Sequence, residues 1–124
     1  MLTICAIFLD DENVLLVKKT NNIGWNLPGG KPKPGESDRD CLSREIKEEF
    51  SGTRIKNLRH YHTAHLDSDQ ERFTLRAYLV TAVGEVGPHS GEVQQSAWVN
   101  EVHNYALGDL TLRVINELRR EEYL

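Results

Sequence analysis

Between Arg72 and Val83 apolar and polar residues alternate, with Phe73, Leu75, Ala77 and Leu79 on one side. That is the period-two pattern of a half-buried strand. Two shorter runs, Thr3 to Leu9 and Asn13 to Lys19, are rich in β-branched and aliphatic residues. Asp10, Asp11 and Glu12 separate them, which predicts a hairpin. Arg54 to Leu66 reads as a further strand, joined to the alternating one by a turn at Ser68–Glu71, and Ser96 to Asn100 as a short strand. Loops are expected at Thr20–Gly24 and Gly84–Glu92. The segment from Trp25 to Glu36 holds Pro28, Pro32 and Pro34 with Gly29, Gly30 and Gly35, which predicts a loop without regular structure.

Two helices complete the pattern. One runs from about Ser37 to Phe50, with Gly52 as its stop. The other lies in the last eighteen or so residues, where Leu110, Val114, Ile115 and Leu118 recur at helical spacing and Asp109 or Thr111 can cap the start. The order of strands, helix, strands, helix predicts an α/β (α+β) fold, a mixed β-sheet packed between helices. The length of 124 residues matches a single domain spanning 1–124.

The first helix carries an unusual charge pattern. With Arg44 at zero on a wheel of about 100° per residue, Glu48 falls near 40°, Glu45 near 100° and Glu49 near 140°. Leu42, Ile46 and Phe50 occupy roughly 160° to 240°. The acids therefore adjoin the apolar stripe. Like charges at i, i+3 and i, i+4 each destabilise a helix by about 0.2–0.5 kcal/mol. Glu48 and Glu49 also sit in the last turn, where the helix dipole disfavours anions. A divalent cation would relieve this repulsion, and carboxylate oxygens suit Mg²⁺ or Mn²⁺.

Charge and composition narrow the partners. The net charge of −4 argues against a nucleic acid polymer as the partner. A small phosphorylated ligand stays compatible, because a bound metal supplies positive charge locally. No apolar run approaches the ~20 residues of a membrane span, so no membrane partner is expected. The N-terminus lacks a basic stretch and turns acidic at Asp10, which reads as a strand rather than a signal peptide. A cytoplasmic protein is the expectation, with Cys5 and Cys41 as reduced, partly buried thiols. His60, His62 and His65 read as strand histidines, because no further ligand completes a metal site around them.

From Gly30 the chain reads Gly, five residues, Glu36, seven residues, then Arg44-Glu45-Ile46-Lys47-Glu48-Glu49. This resembles the signature of the Nudix hydrolase family, and the approach Leu27–Glu36 is similar as well. The pattern departs at its end, where Ser51 and Gly52 stand in place of a glycine and an aliphatic residue. The resemblance implies a Nudix-type α/β/α sandwich and a Mg²⁺- or Mn²⁺-dependent hydrolase of a diphosphate bond in a nucleoside diphosphate derivative. By the same resemblance Gly30, Glu45, Glu48, Glu49 and Glu92 would hold the metal, Glu45 acting as a ligand or as the base. Arg44 would orient the carboxylates, Glu36 would support the loop, and Glu48 belongs to the catalytic set. Lys18 or Lys19 would meet a substrate phosphate, and Trp25 would stack a base or pack in the core. The chain has no proline between Pro34 and Pro88, where ADP-ribose-cleaving relatives commonly carry one. The resemblance therefore favours a MutT-like (deoxy)nucleoside triphosphate pyrophosphatase. The alternative is a non-catalytic nucleotide-binding sensor, which would have no need of all four charged residues at 44, 45, 48 and 49. A nucleotide is the implied partner, and a homodimer is common in such proteins.

Overall fold

The structure is a computed structural model that describes residues 1–20, 24–84, 86 and 91–124. The centres of the loops expected at Thr20–Gly24 and Gly84–Glu92 lie outside the described residues. Among the described residues there are seven strands and two α-helices: β1 (Leu2–Ile7), β2 (Leu9–Asp10), β3 (Asn13–Lys19), β4 (Gly29–Gly30), α1 (Asp38–Glu49), β5 (Arg54–Asp67), β6 (Arg72–Val83), β7 (Val93–Val99) and α2 (Asp109–Arg120). They form a four-stranded sheet in the order β4-β1-β6-β5 and a three-stranded sheet in the order β2-β3-β7. In the first sheet β1 runs parallel to β6, whereas β4–β1 and β6–β5 are antiparallel, so that sheet is mixed as expected. The sequence pattern suggested one sheet; the second arises because the first apolar run divides. Leu2–Ile7 pairs with β6, and Leu9–Asp10 pairs with β3.

Local chemistry explains the short connections. Asp11 and Glu12 adopt φ of 49° and 67°, the left-handed pair that a two-residue hairpin requires. Asn13 Nδ2 donates to the carbonyls of Asp10 and Asp11 at 3.2 and 3.3 Å. At the β5–β6 turn, Ser68 donates from N and Oγ to the Glu71 carbonyl at 2.9 and 3.1 Å.

Alternation along β1 divides the core in two. Cys5 and Ile7 face α2, where they meet Val14, Leu16, Leu75, Ala77 and the buried stripe Val114, Ile115 and Leu118. Ile4 and Ala6 face α1, where they meet Leu15, Val17, Leu42, Ile46 and Phe50. The helices thus cover opposite sides, giving the expected layering. No helix among the described residues is long and apolar enough to cross a membrane.

Three local expectations change. Gly29–Gly30 is not irregular: it pairs with Cys5 and Ile4 as β4. Helix α1 ends at Glu49, with Phe50 as its C-cap. Phe50 is fully buried, so core packing sets the stop, while Gly52 is exposed with open space where a side chain would be. In α2 neither Asp109 nor Thr111 caps the start. Gly108 is the cap residue, and the Thr111 hydroxyl instead donates to Asn26 Oδ1 at 2.9 Å.

Candidate active site

A cleft of about 630 Å³ opens on the chain where β3, β4 and the C-terminal half of α1 meet the start of α2. One end is charged, with Lys19, Gly30, Lys31, Glu45 and Glu92 on its wall. The other end is apolar, with Leu66, Phe73, Leu75 and Leu110, and Asn26, Asp109 and Thr111 supply polar groups beside it.

Helix α1 reaches the cleft through a well-defined start. Ser37 is its N-cap, accepting from the Asp40 N–H at 3.1 Å. Asp38 and Asp40 lie in the first turn, where the dipole favours acids. Asp38 also bonds the Tyr78 hydroxyl and pairs with Arg76 at 3.2 Å, fastening this end of the helix to β6.

Arg44 organises the middle. Its Nε and one terminal nitrogen donate to the two oxygens of Glu36, both at 2.9 Å, a bidentate arrangement. It also donates to Glu45 Oε1 at 2.8 Å and to the Lys31 carbonyl at 3.0 Å, with Glu48 further off at 3.8 Å. The Arg44 hydrogen bonds, with one from the Lys33 N–H, lower the Glu36 carboxyl to about 2. Arg44 therefore joins the loop after β4 to the carboxylates of α1.

The three glutamates occupy different environments. Glu48 is 59% exposed, Glu45 14% and Glu49 only 4%. Glu49 Oε1 accepts from Lys19 Nζ at 2.8 Å and from the Gly29 N–H at 3.3 Å. Burial pushes the Glu49 carboxyl up to about 7, although Lys19 and the Gly29 N–H oppose that shift. Burial also works against the Lys19 charge, but Glu49 outweighs it and holds the ammonium above its ordinary range. Glu49 Oε2 is buried without a hydrogen-bond partner among the described residues.

Gly30 is the complement to Glu45. A Cβ at this position would overlap the Glu45 carboxylate, so the glycine leaves room for that side chain where it lies. The Gly30 carbonyl receives Cys41 Sγ at 3.8 Å. Both thiols are buried and free, raised to about 12 at Cys5 and about 11 at Cys41 chiefly by burial. They are protonated at neutral pH and unsuited to act as nucleophiles.

The bare oxygen of Glu49 is close enough to sense the Glu45 charge, and hard carboxylate donors of this kind fit a divalent ion. Among the described residues no three Asp, Glu, His or Cys side chains already stand in an ion-holding group. Glu48 lies on the exposed side of α1. Glu92 lies on the cleft wall, its carbonyl accepting from both Thr20 N and Thr20 Oγ1, at 2.8 and 3.1 Å.

The substrate candidates separate as well. Lys19 is on the cleft wall, and Lys18 and Trp25 are not among its lining residues. Trp25 packs edge-on to Tyr105 with centroids 5.1 Å apart, against the α2-side core. His60 contacts Thr63 and Tyr78, and His65 contacts Thr74, in keeping with strand histidines. Sequence reasoning missed Lys31, Asn26 and Phe73 as cleft residues. Lys31 directly follows the glycine pair, a signal that was there to use; Asn26 and Phe73 gave none, because tertiary packing alone brings them together.

A family model described as the NUDIX domain matches residues 1–111. An isopentenyl-diphosphate Delta-isomerase of Mycolicibacterium vanbaalenii is 30% identical over 117 residues, 85% of this chain and 64% of its own length. A Bacillus subtilis protein provisionally named 8-oxo-dGTP diphosphatase is 45% identical over 40 residues, 32% of this chain and 27% of its own. The chain thus spans less than two thirds of the length of these curated relatives. A solved MutT structure from work on Aliivibrio salmonicida and Vibrio cholerae superposes with a TM-score of 0.77. It covers 98% of this chain and 99% of its own at 24% identity, a likeness of fold.

Proposed function

The chain belongs to the Nudix family, and we propose that within it this protein is a Mg²⁺-dependent hydrolase of a diphosphate bond, a MutT-like (deoxy)nucleoside triphosphate pyrophosphatase. The observation that carries the proposal is the buried Glu49 Oε2, which has no hydrogen-bond partner among the described residues and senses the charge of Glu45, a carboxylate that lines a cleft with room for an organic group. Glu45, Glu49 and the Gly30 carbonyl would hold the ion, with Glu48 and Glu92 as further oxygen donors. Such an ion neutralises diphosphate oxygens and lowers the pKa of a bound water.

The chain's own residues supply the rest. Lys31, exposed on the cleft wall, offers an ammonium to the phosphate chain. Glu45 lines the cleft and would serve either as a ligand of the ion or as the base that accepts the proton of the attacking water. Arg44 holds Glu45 by a charge-assisted hydrogen bond and is itself fixed by Glu36, so the carboxylate is oriented before substrate arrives. The apolar walls at Leu66, Phe73 and Leu110 would take the base and exclude water around it. The provisional diphosphatase name of the Bacillus subtilis relative supports a nucleoside triphosphate as the substrate class.

The test is release of phosphate or pyrophosphate from a broad nucleotide panel with Mg²⁺ or Mn²⁺, comparing the wild type with Glu48→Gln. Turnover of a nucleoside triphosphate that is lost in the variant is expected. An isoprenoid diphosphate belongs in the panel, because the isomerase relative is named for one. No turnover above the variant on any compound would end the hydrolase reading.

A further inference from the structure

Lys19 does more in this structure than line a cleft. Its Nζ donates to the Gly29 carbonyl at 2.6 Å and contacts Glu49 Oε1 at 2.8 Å. The Gly29 N–H donates to the same Glu49 oxygen at 3.3 Å. One peptide unit on each side of Gly29 is thus joined, through Lys19 and directly, to a single carboxylate oxygen. Gly29 is itself a fixed anchor, because it pairs with Cys5 on β1 and has no room for a side chain against the Ile4 carbonyl. Lys19 is delivered by alternation along β3, on the α1 side with Leu15 and Val17. Oε1 is therefore fully engaged, and Oε2 is buried and bare.

We infer that Lys19 is a positioning residue that pins Glu49 by Oε1 so that Oε2 is the oxygen presented to the divalent ion. The inference rests on the metal-dependent reading above. An ammonium near a cation site also repels the cation, and the two effects have opposite signs. Pinning outweighs repulsion here, because without Lys19 the carboxylate keeps only the longer Gly29 bond and can rotate away.

The experiment is a double-mutant cycle read as Mn²⁺ affinity, by electron paramagnetic resonance of free Mn²⁺. The proteins are wild type, Lys19→Met, Lys19→Arg, Glu49→Gln and the Lys19→Met/Glu49→Gln double variant. Lys19→Met is expected to weaken Mn²⁺ binding about tenfold or more, and Lys19→Arg to recover most of it. In the Glu49→Gln background Lys19→Met should change affinity less than about twofold, since Lys19 acts through Glu49. That pair also carries the test if Lys19→Met alone folds poorly, because it lacks the buried anion. Unchanged or tighter binding by Lys19→Met overturns the inference, as does an equal loss in both backgrounds. A wild type that binds no Mn²⁺ would instead refute the metal-dependent reading itself.

Discussion

Helices α1 and α2 are both twelve residues long, yet their buried faces differ in kind. Helix α2 buries Thr111, Val114, Ile115 and Leu118, has Asp109 in its first turn and ends on Arg119 and Arg120, all favourable to its dipole. Helix α1 buries Cys41, Leu42, Ile46 and a glutamate, Glu49, in the turn where an anion is least welcome. Stability alone accounts for α2. It does not account for α1, whose last turn needs Lys19 from another strand to hold one oxygen and leaves a second without a partner. On the proposed reading the first helix is shaped by an ion it would bind, the second by the core it covers.

Substitutions can break this comparison. The largest effect on stability belongs to α2: Leu118→Ala, at a fully buried position, should cost about 2–5 kcal/mol in a denaturant titration. Its counterpart in α1 is chemical. Glu45→Gln should reduce turnover by about 10²-fold while the denaturation midpoint moves little, because removing one positioned charged group at a reacting centre costs roughly 10²–10⁴. Equal losses of stability from the two variants would erase the distinction.

Smaller effects sharpen it. Ser37→Ala removes the α1 cap bond and should cost about 1 kcal/mol by the same titration. The matching change in α2, Gly108→Ser, would ordinarily improve a cap. Here it should destabilise, because its Cβ would overlap Asn26 Oδ1. The smallest effect concerns pH. The Glu36 carboxyl is lowered to about 2 by Arg44, so the folded state binds fewer protons than the unfolded one between that value and the ordinary 4.5. Its contribution is fully present above 4.5 and fades as pH falls toward 2. Acid titrations of Glu36→Gln should lack that component of the slope.

Much of this architecture was readable before the structure. Polar residues between two apolar runs marked the hairpin at Asp11–Glu12, and alternation in Arg72–Val83 marked β6 and its inner face. The spacing from Gly30 to Glu49 marked the family. What was not readable depends on partners far along the chain. The first apolar run is divided between two sheets because its first part, β1, pairs in parallel with β6, which begins about seventy residues later, and nothing local records that pairing. Strand β4 can form because Gly29 admits close approach to the Ile4 and Cys5 backbone, so residues read as loop punctuation are sheet contacts. The wheel grouped Glu45, Glu48 and Glu49, but it could not show that packing would bury one, half-bury another and expose the third. The Lys19–Glu49 pair lay between the two, since alternation places Lys19 toward α1 but the contact itself is tertiary.

We propose that the acids ending α1 are there for a divalent cation used in diphosphate hydrolysis. Turnover of the best nucleoside triphosphate, followed by ³¹P NMR before and after exhaustive chelation, tests it most directly. Activity should vanish with the chelator, return when Mg²⁺ is added in excess, and yield pyrophosphate with the nucleoside monophosphate. Turnover that continues unchanged through chelation would contradict the claim.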